Sequence, residues 1–281
     1  MRGQLLRYDA VSRQFVPYAQ GISADHVTFS HDAEWMAYVE LPEGVLVRSR
    51  VDGTDRRQLT FSSMRVYNPQ WSPDGAQLAI QAAAEPGALD KIYLVPRHGG
   101  VPVLAAPERR DRHVYPSWSS QGNSILFSSF DETGSSPALW MLDLKSRGAS
   151  LLPGTAGLRS GQVSPDGRYV VAVADATQKL MLYDMTSQKT QTLAERAEYP
   201  RWSSDGQYVY FRTPYFGGGI ENPGVYRWRA STNKVERVLS SPDFPLEGIK
   251  GIWSGVTPDG APLLVRSLTT RDLYRLDVEL P

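Results

Sequence analysis

The sequence predicts an all-β fold: a propeller of four-stranded antiparallel blades, six of them or a truncated seven, with little or no helix. Three observations carry this expectation. A phrase of one apolar residue followed by Ser/Thr-x-Asp-Gly returns six times, at spacings from 39 residues (Asp166 to Asp205) to 54 (Asp205 to Asp259). Each copy leads into a run rich in Val, Ile, Leu, Ala, Tyr and Phe. No segment holds a 3.6-residue apolar period over three turns. A repeat in this range is an array of β units, and four-stranded sheets set around an axis leave only short, protected edges.

The elements follow in order. Residues 4–9 and 14–18 read as the third and fourth strands of a unit whose first two are missing. The first full unit carries Phe29-Ser30-His31-Asp32-Ala33, then strands at 35–39, 46–49 and 58–60. In the second, a lead-in over 67–72 meets the turn Pro73-Asp74-Gly75, where Pro presets φ and Gly accepts a positive one. Strands at 77–81, 91–95 and 101–104 complete it, and Pro102 suits an outer edge. The third unit has Trp118-Ser119-Ser120-Gln121-Gly122 and strands at 124–127, 139–142 and 150–152. The fourth has Val163-Ser164-Pro165-Asp166-Gly167 and strands at 169–173, 180–183 and 190–193. The fifth has Trp202-Ser203-Ser204-Asp205-Gly206 and strands at 208–211, 225–228 and 235–239. The sixth has Val256-Thr257-Pro258-Asp259-Gly260, a strand at 262–266 and another at 272–278, but no fourth. Residues 14–18 are expected to supply that fourth strand and close six blades, which leaves 5–8 one strand too many. A seventh, incomplete blade is the competing expectation. Either way residues 1–281 read as a single propeller domain.

Composition limits the function classes. Thirty basic and thirty acidic side chains cancel, so no global field draws the chain to nucleic acid or an anionic membrane. No window approaches the roughly 18 apolar residues of a membrane span, and Met1-Arg2-Gly3-Gln4-Leu5-Leu6 is not the start of a signal peptide. With no Cys there is no disulfide, thiolate metal site or cysteine nucleophile. The compartment stays open.

The Trp/Val-Ser-Pro-Asp-Gly copies, with later turns such as Asp52-Gly53 and Gly99-Gly100, resemble those of TolB-type propellers, also called WD40-like or PD40 repeats. The phrases Gly3-Gln4-Leu5-Leu6-Arg7-Tyr8-Asp9 and Leu46-Val47-Arg48-Ser49-Arg50-Val51-Asp52-Gly53 resemble the C-terminal propeller of bacterial membrane-anchored winged-helix sensor proteins. The resemblance implies ligand or protein recognition without known chemistry, and an extracytoplasmic location if the parent is membrane-anchored. The chain departs from the pattern at Asp32-Ala33 and Gln121-Gly122, where the turn is worn.

Aligning the copies on the turn Asp gives columns. Three residues before it stand Phe29, Trp71, Trp118, Val163, Trp202 and Val256, all apolar and therefore core between blades; Trp71→Ala is expected to cost about 3–5 kcal/mol. One residue earlier are Thr28, Gln70, Ser117, Gln162, Arg201 and Gly255, on the opposite strand face. Three before the core column are His26, Asn68, Tyr115, Ser160, Tyr199 and Trp253. The last two columns are expected to converge at the mouth where the inner strands begin. A ring of His26, Asn68, Tyr115, Tyr199 and Trp253, with Arg201 just inside, could hold a protein segment, peptide or glycan by stacking and hydrogen bonding. The same side chains would also serve merely to solvate a water-filled channel. Tyr215 and Phe216, in the longest insertion, read as an aromatic pair suited to partner contact.

Other constellations reduce to scaffold. His26, His31, His98 and His113 lack metal-ligand spacing, although His26 and His113 could share the mouth. The Asp-Gly turns lack the alternating oxygen ligands and terminal Glu of a calcium loop. Ser160 in Gly157-Leu158-Arg159-Ser160-Gly161 has no strand-to-helix context for a nucleophile. The expectation is a non-catalytic recognition or scaffold module without a cofactor or metal, and without direct nucleic-acid contact. The alternatives are a propeller hydrolase or lyase with a channel site, or the sensor domain of a larger signalling protein.

Overall fold

The computed structural model describes residues 3–61, 63–130, 136–213, 224–240 and 252–268. In chain order the strands are β1 (Gly3–Asp9), β2 (Gln14–Pro17), β3 (Ala24–Phe29), β4 (Trp35–Glu40), β5 (Val45–Arg50) and β6 (Arg57–Gln58). Then come β7 (Arg65–Trp71), β8 (Gln77–Ala83), β9 (Lys91–Pro96), β10 (Val103–Leu104), β11 (Arg112–Trp118), β12 (Ser124–Phe130), β13 (Pro137–Asp143) and β14 (Ala149–Leu151). The chain continues through β15 (Leu158–Val163), β16 (Tyr169–Ala174), β17 (Leu180–Asp184), β18 (Thr190–Ala194), β19 (Glu198–Trp202) and β20 (Tyr208–Arg212). Last are β21 (Gly224–Arg229), β22 (Lys234–Ser240), β23 (Ile252–Val256) and β24 (Pro262–Ser267). One short 3-10 turn, Ala19–Gly21, is the sole helical element among the described residues.

These strands make six four-stranded antiparallel blades. Five are local in sequence, β3–β6, β7–β10, β11–β14, β15–β18 and β19–β22, and the sixth has the order β2-β1-β24-β23. Successive inner strands β3, β7, β11, β15, β19 and β23 pack side by side, and β23 against β3 closes the ring. The seven-bladed alternative therefore falls. Closure also corrects the expected strand count. β1 pairs with β24, Leu5 opposite Val265, and takes the third position of the last blade, while β2 takes the fourth. The strand at 5–8 is not surplus. The segment 272–278, expected as that third strand, lies outside the described residues.

The core is divided among the six blade junctions. In β8, Leu78 and Ile80 pack toward the first blade, with Trp35, Leu46 and Trp71, whereas Ala79 packs toward the third, with Ile92, Trp118 and Phe127. In β16, Val170 and Ala172 face Leu126 and Tyr183, while Val171 faces Val209 and Trp228. A strand covered on both faces must be apolar at successive positions, so the blade strands read as continuous runs rather than alternating ones. A fully buried Leu or Ile stabilises by about 1.5–3 kcal/mol. The apolar column before each turn is core as expected: Trp71, Trp118, Val163, Trp202, Phe29 and Val256 each join a different junction.

The repeated turns are held by one device. Ser72 Oγ donates to Asp74 Oδ1 at 2.6 Å and accepts from the Gln77 N–H at 3.1 Å, while the Ala76 N–H donates to the same carboxylate at 3.0 Å. Ser164/Asp166 and Ser203/Asp205 repeat it at 2.5 and 2.6 Å. In the worn third copy, Asn123 Oδ1 accepts from Ser119 Oγ at 3.0 Å in place of the missing carboxylate. Gly75 sits at φ 65°, as the turn requires; the first copy forces Ala33 to φ 57° without that freedom.

Candidate functional site

The inner strands are not regular. Each carries a bulge, so that in β3 two residues, His26 and Val27, face one on β4 between the pairs Asp25–Val39 and Thr28–Ala37. The same irregularity recurs in β7, β11, β15 and β19. It puts His26, Asn68, Tyr115, Ser160 and Tyr199 in the left-handed region, with φ of 49, 47, 56, 56 and 51°. For a residue with a Cβ that conformation costs about 1–2 kcal/mol, and a bulge re-aims its side chain. Neighbouring structure holds two of the bulges: the Tyr115 N–H donates to Gln81 Oε1 of the preceding blade, and the Ser160 N–H to Ser128 Oγ. The sixth blade differs, its left-handed residue being Gly255 at φ 143°, where a Cβ would lie 2.6 Å from the Val27 carbonyl.

Four of the expected site residues come together through Arg201. The Arg201 guanidinium faces the Tyr115 phenol and the His26 ring, Tyr115 neighbours Tyr199, and Asn68 approaches His26. Asn68 Nδ2 donates to Gln81 Oε1 at 3.0 Å, and its buried Oδ1 accepts nothing. The His26 ring meets Tyr67 edge-on at 6.0 Å, and its Nε2 lies 3.8 Å from Asp25 Oδ2. Burial holds His26 below its ordinary pKa and Arg201 opposes its protonation further, against the pull of Asp25 and Asn68. Burial likewise pushes the Tyr199 phenol up. Trp253 occupies the bulge region of β23; its side chain, and Tyr215 and Phe216 entirely, lie outside what is described.

An axial cavity of about 560 Å³ runs from this waist to the turn end of the ring. Thr28, Gln70, Ser117, Gln162 and Arg201 line it, together with the apolar column and the turn residues Pro73, Pro165 and Pro258. Of the two polar columns, the one with Arg201 lines the cavity, and His26, Asn68, Tyr115 and Tyr199, toward the leading end of the inner strands, are not among its lining residues. Arg201 is the one cation among the cavity-lining residues apart from His31. No carboxylate pairs with it among the described residues, and burial draws its pKa down to about 10. Arg201 is half-buried, and a partly desolvated guanidinium without a carboxylate partner gains when an anion meets it.

A second polar cluster adjoins the third blade. Asp111 accepts from Ser129 Oγ, from Arg109 Nε at 3.1 Å and from His113 Nε2 at 3.0 Å, and Lys91 Nζ donates to the Arg109 carbonyl at 3.0 Å. Burial would raise the Asp111 pKa, but these donors outweigh it and hold the carboxyl well below the usual range. Ser, His and Asp meet here in the wrong order for a nucleophile, because serine and histidine both address the carboxylate and neither addresses the other. His113 is 1% exposed, its ring 4.7 Å from that of Phe127, so it does not join His26 at the axis. Among the described residues no three His, Asp or Glu side chains come close enough to hold a metal ion, and Ser160 is a buried bulge residue of β15. Gln81 and Asp25 were not anticipated as site supports, although a glutamine inside the apolar run of β8 was a readable signal.

Fold and channel define a six-bladed β-propeller whose axial cavity is lined by an apolar column and one arginine among the described residues, and its fold resembles that of TolB proteins. The protein assigned as TolB in Agrobacterium tumefaciens superposes with a TM-score of 0.73 at 18% identity, over 96% of this chain and 99% of that one. TolB from Acinetobacter baumannii does so at 0.61 and 17% identity, over 88% and 66%. An oligogalacturonate lyase in complex with manganese matches at 0.55 and 12% identity, over 80% and 71%. No protein-family model and no curated protein sequence matches the chain. Among the described residues no helix is long and apolar enough to cross a membrane.

Proposed function

We propose that this propeller is a recognition module that takes an acidic segment of a protein partner into its axial channel, with no bond broken. The single observation that carries the reading is Arg201, half-buried in the lining of a 560 Å³ cavity, with no carboxylate partner among the described residues. A partner carboxylate would supply the missing charge through the forked guanidinium. Tyr115 and Tyr199 would stack on the segment as it passes. Trp253, and Tyr215 and Phe216 of the longest insertion, are proposed as further contacts from their place in the sequence. The TolB-like fold agrees with a scaffold that binds protein, and a sensor domain of a larger signalling protein would use the same channel.

A second reading is favoured by the lyase whose fold the chain shares, since the substrate in its name is a chain of uronates. Arg201 would take a uronate carboxylate equally well, making the ligand an acidic glycan and leaving a channel-site enzyme as the alternative. The test is titration of wild type and the Tyr115→Ala/Tyr199→Ala/Trp253→Ala variant with a glutamate-rich peptide, its glutamine counterpart and trigalacturonate. The protein reading expects the acidic peptide alone to bind wild type, with the variant at least tenfold weaker. Trigalacturonate binding with release of an unsaturated product would replace it with the enzyme. Equal affinities in wild type and variant would remove the channel from the account.

A further inference from the structure

A second cationic site lies off the axis, at the junction of the first two blades. Trp35 opens β4 there and is 6% exposed. Three guanidinium groups gather on its indole: Arg50 Cζ lies 4.0 Å from the ring centroid, Arg48 Cζ 4.1 Å and Arg97 Cζ 5.0 Å. Arg50 is neutralised, with Nη1 2.7 Å from Glu34 Oε2. Arg48 has only a looser pairing and Arg97 has no carboxylate partner among the described residues. Arg48 is 4% exposed and forms a loose ion pair with Asp55, whose Oδ2 lies 3.6 Å from its Nη1. Arg48 Nε and Nη1 and Arg97 Nε are all buried and donate to nothing.

The backbone register adds a third charge. β5 pairs with β6 so that Arg48 stands directly opposite Arg57, a like-charge pair that destabilises a sheet unless something intervenes. Arg57 also reaches the turn after β9, its Nε being 3.7 Å from where a Cβ on Gly99 would lie. The acids nearby do not resolve this. Asp32, which feels Arg97, already accepts from Ser30 Oγ at 2.5 Å and the Glu34 N–H at 3.0 Å. Among the described residues neither Arg57 nor Arg97 has a carboxylate partner, and Asp55, the partner of Arg48, is 58% exposed. Burial draws Arg48 below its ordinary pKa; Asp55 opposes this, and Arg97 and Arg57 reinforce it. Stacking on an indole rewards the face of a guanidinium and leaves its in-plane N–H groups unanswered.

We infer that the junction of the first two blades binds a phosphate-type oxyanion, which accepts from the in-plane N–H groups of Arg48 and is closed over by Arg57 and Arg97 from the rim. A tetrahedral oxyanion offers enough acceptors for the orphaned donors and separates the two opposed arginines. Arg57 is exposed and Arg97 half-buried, so both are free to adjust as the anion enters. The site owes nothing to the axial channel, and either can exist without the other.

The experiment is calorimetric titration of the full chain at low ionic strength with inorganic phosphate, phosphoserine and acetate. It compares wild type, Arg57→Gln/Arg97→Gln and Arg201→Gln, with near-ultraviolet dichroism confirming the fold of each. Parallel nitrogen-15 spectra follow the Arg48 Nε–H and Trp35 Nε1–H signals. The expected result is saturable phosphate binding at one site, at least tenfold weaker in the double variant and unchanged in Arg201→Gln, with both reporter signals moving and acetate weak. Phosphoserine binding more tightly than phosphate would mark the ligand as a phosphorylated group; the reverse would mark a free anion. Binding that fails to saturate, persists in the double variant or disappears in Arg201→Gln would overturn the site.

Discussion

The two ends of the inner strands are built by opposite rules. At the turn end the same Ser–Asp device recurs around the ring, and where one copy lost its carboxylate a nearby amide took over. At the leading end the backbone still repeats, through five left-handed bulge residues, but the side chains they carry are His26, Asn68, Tyr115, Ser160 and Tyr199. Repetition of both backbone and side chain marks scaffold. Repetition of backbone under changing side chains is what a ring needs in order to present a surface, and Arg201 is the point where that surface meets the cavity.

The largest effect that would break this contrast comes from the core column. Trp118 is 7% exposed and its indole N–H reaches the Gln70 carbonyl of the neighbouring blade at 3.0 Å. Trp118→Ala should lower stability by about 3–5 kcal/mol in urea unfolding; a loss near zero would mean the junctions do not carry the ring. Next comes Ser72→Ala, which strips the Gln77 N–H of its acceptor and Asp74 of a donor and should cost about 1–3 kcal/mol.

The two ends should also titrate apart. Donation from Ser Oγ and backbone N–H groups lowers the pKa of Asp74, Asp166 and Asp205. Their contribution is therefore present above the ordinary carboxylate value of 3.8 and lost as pH falls below it. At the leading end burial lowers His26 and His113, so the unfolded chain takes up protons first and stability falls as pH drops below 6.5. Thermal unfolding from pH 3 to 8 should show both windows. His26→Asn with His113→Asn should flatten only the upper one, and Asp→Asn at the three turns only the lower. The smallest effect is at the worn turn, where Ala33→Gly should stabilise by about 0.5–1 kcal/mol because φ 57° no longer opposes a side chain.

The sequence told the scaffold well because a strand buried on both faces and a turn with fixed chemistry both leave local marks. The runs at 77–81 and 169–173 and the six turns are of that kind. Closure left weaker marks: β1 looks like any third strand, and its partner β24 is some 260 residues away. The site columns were readable by counting back from Asp, but the bulges were not, because the extra residue in β3 or β11 has no composition of its own. The count therefore could not tell that the column with Arg201 lines the cavity while Tyr115 is absent from that lining. The Asp111 cluster was missed because Arg109, His113 and Ser129 meet only once β11 and β12 have paired.

The central claim is that Arg201 serves binding at the expense of the fold. It is tested most directly by measuring Arg201→Gln twice on one preparation, once for unfolding and once for affinity toward a glutamate-rich peptide. The account predicts an unfolding midpoint at or above that of wild type, because a half-buried charge without a carboxylate partner has gone, and an affinity at least tenfold lower. A lower midpoint with undiminished affinity would contradict it and return Arg201 to the scaffold.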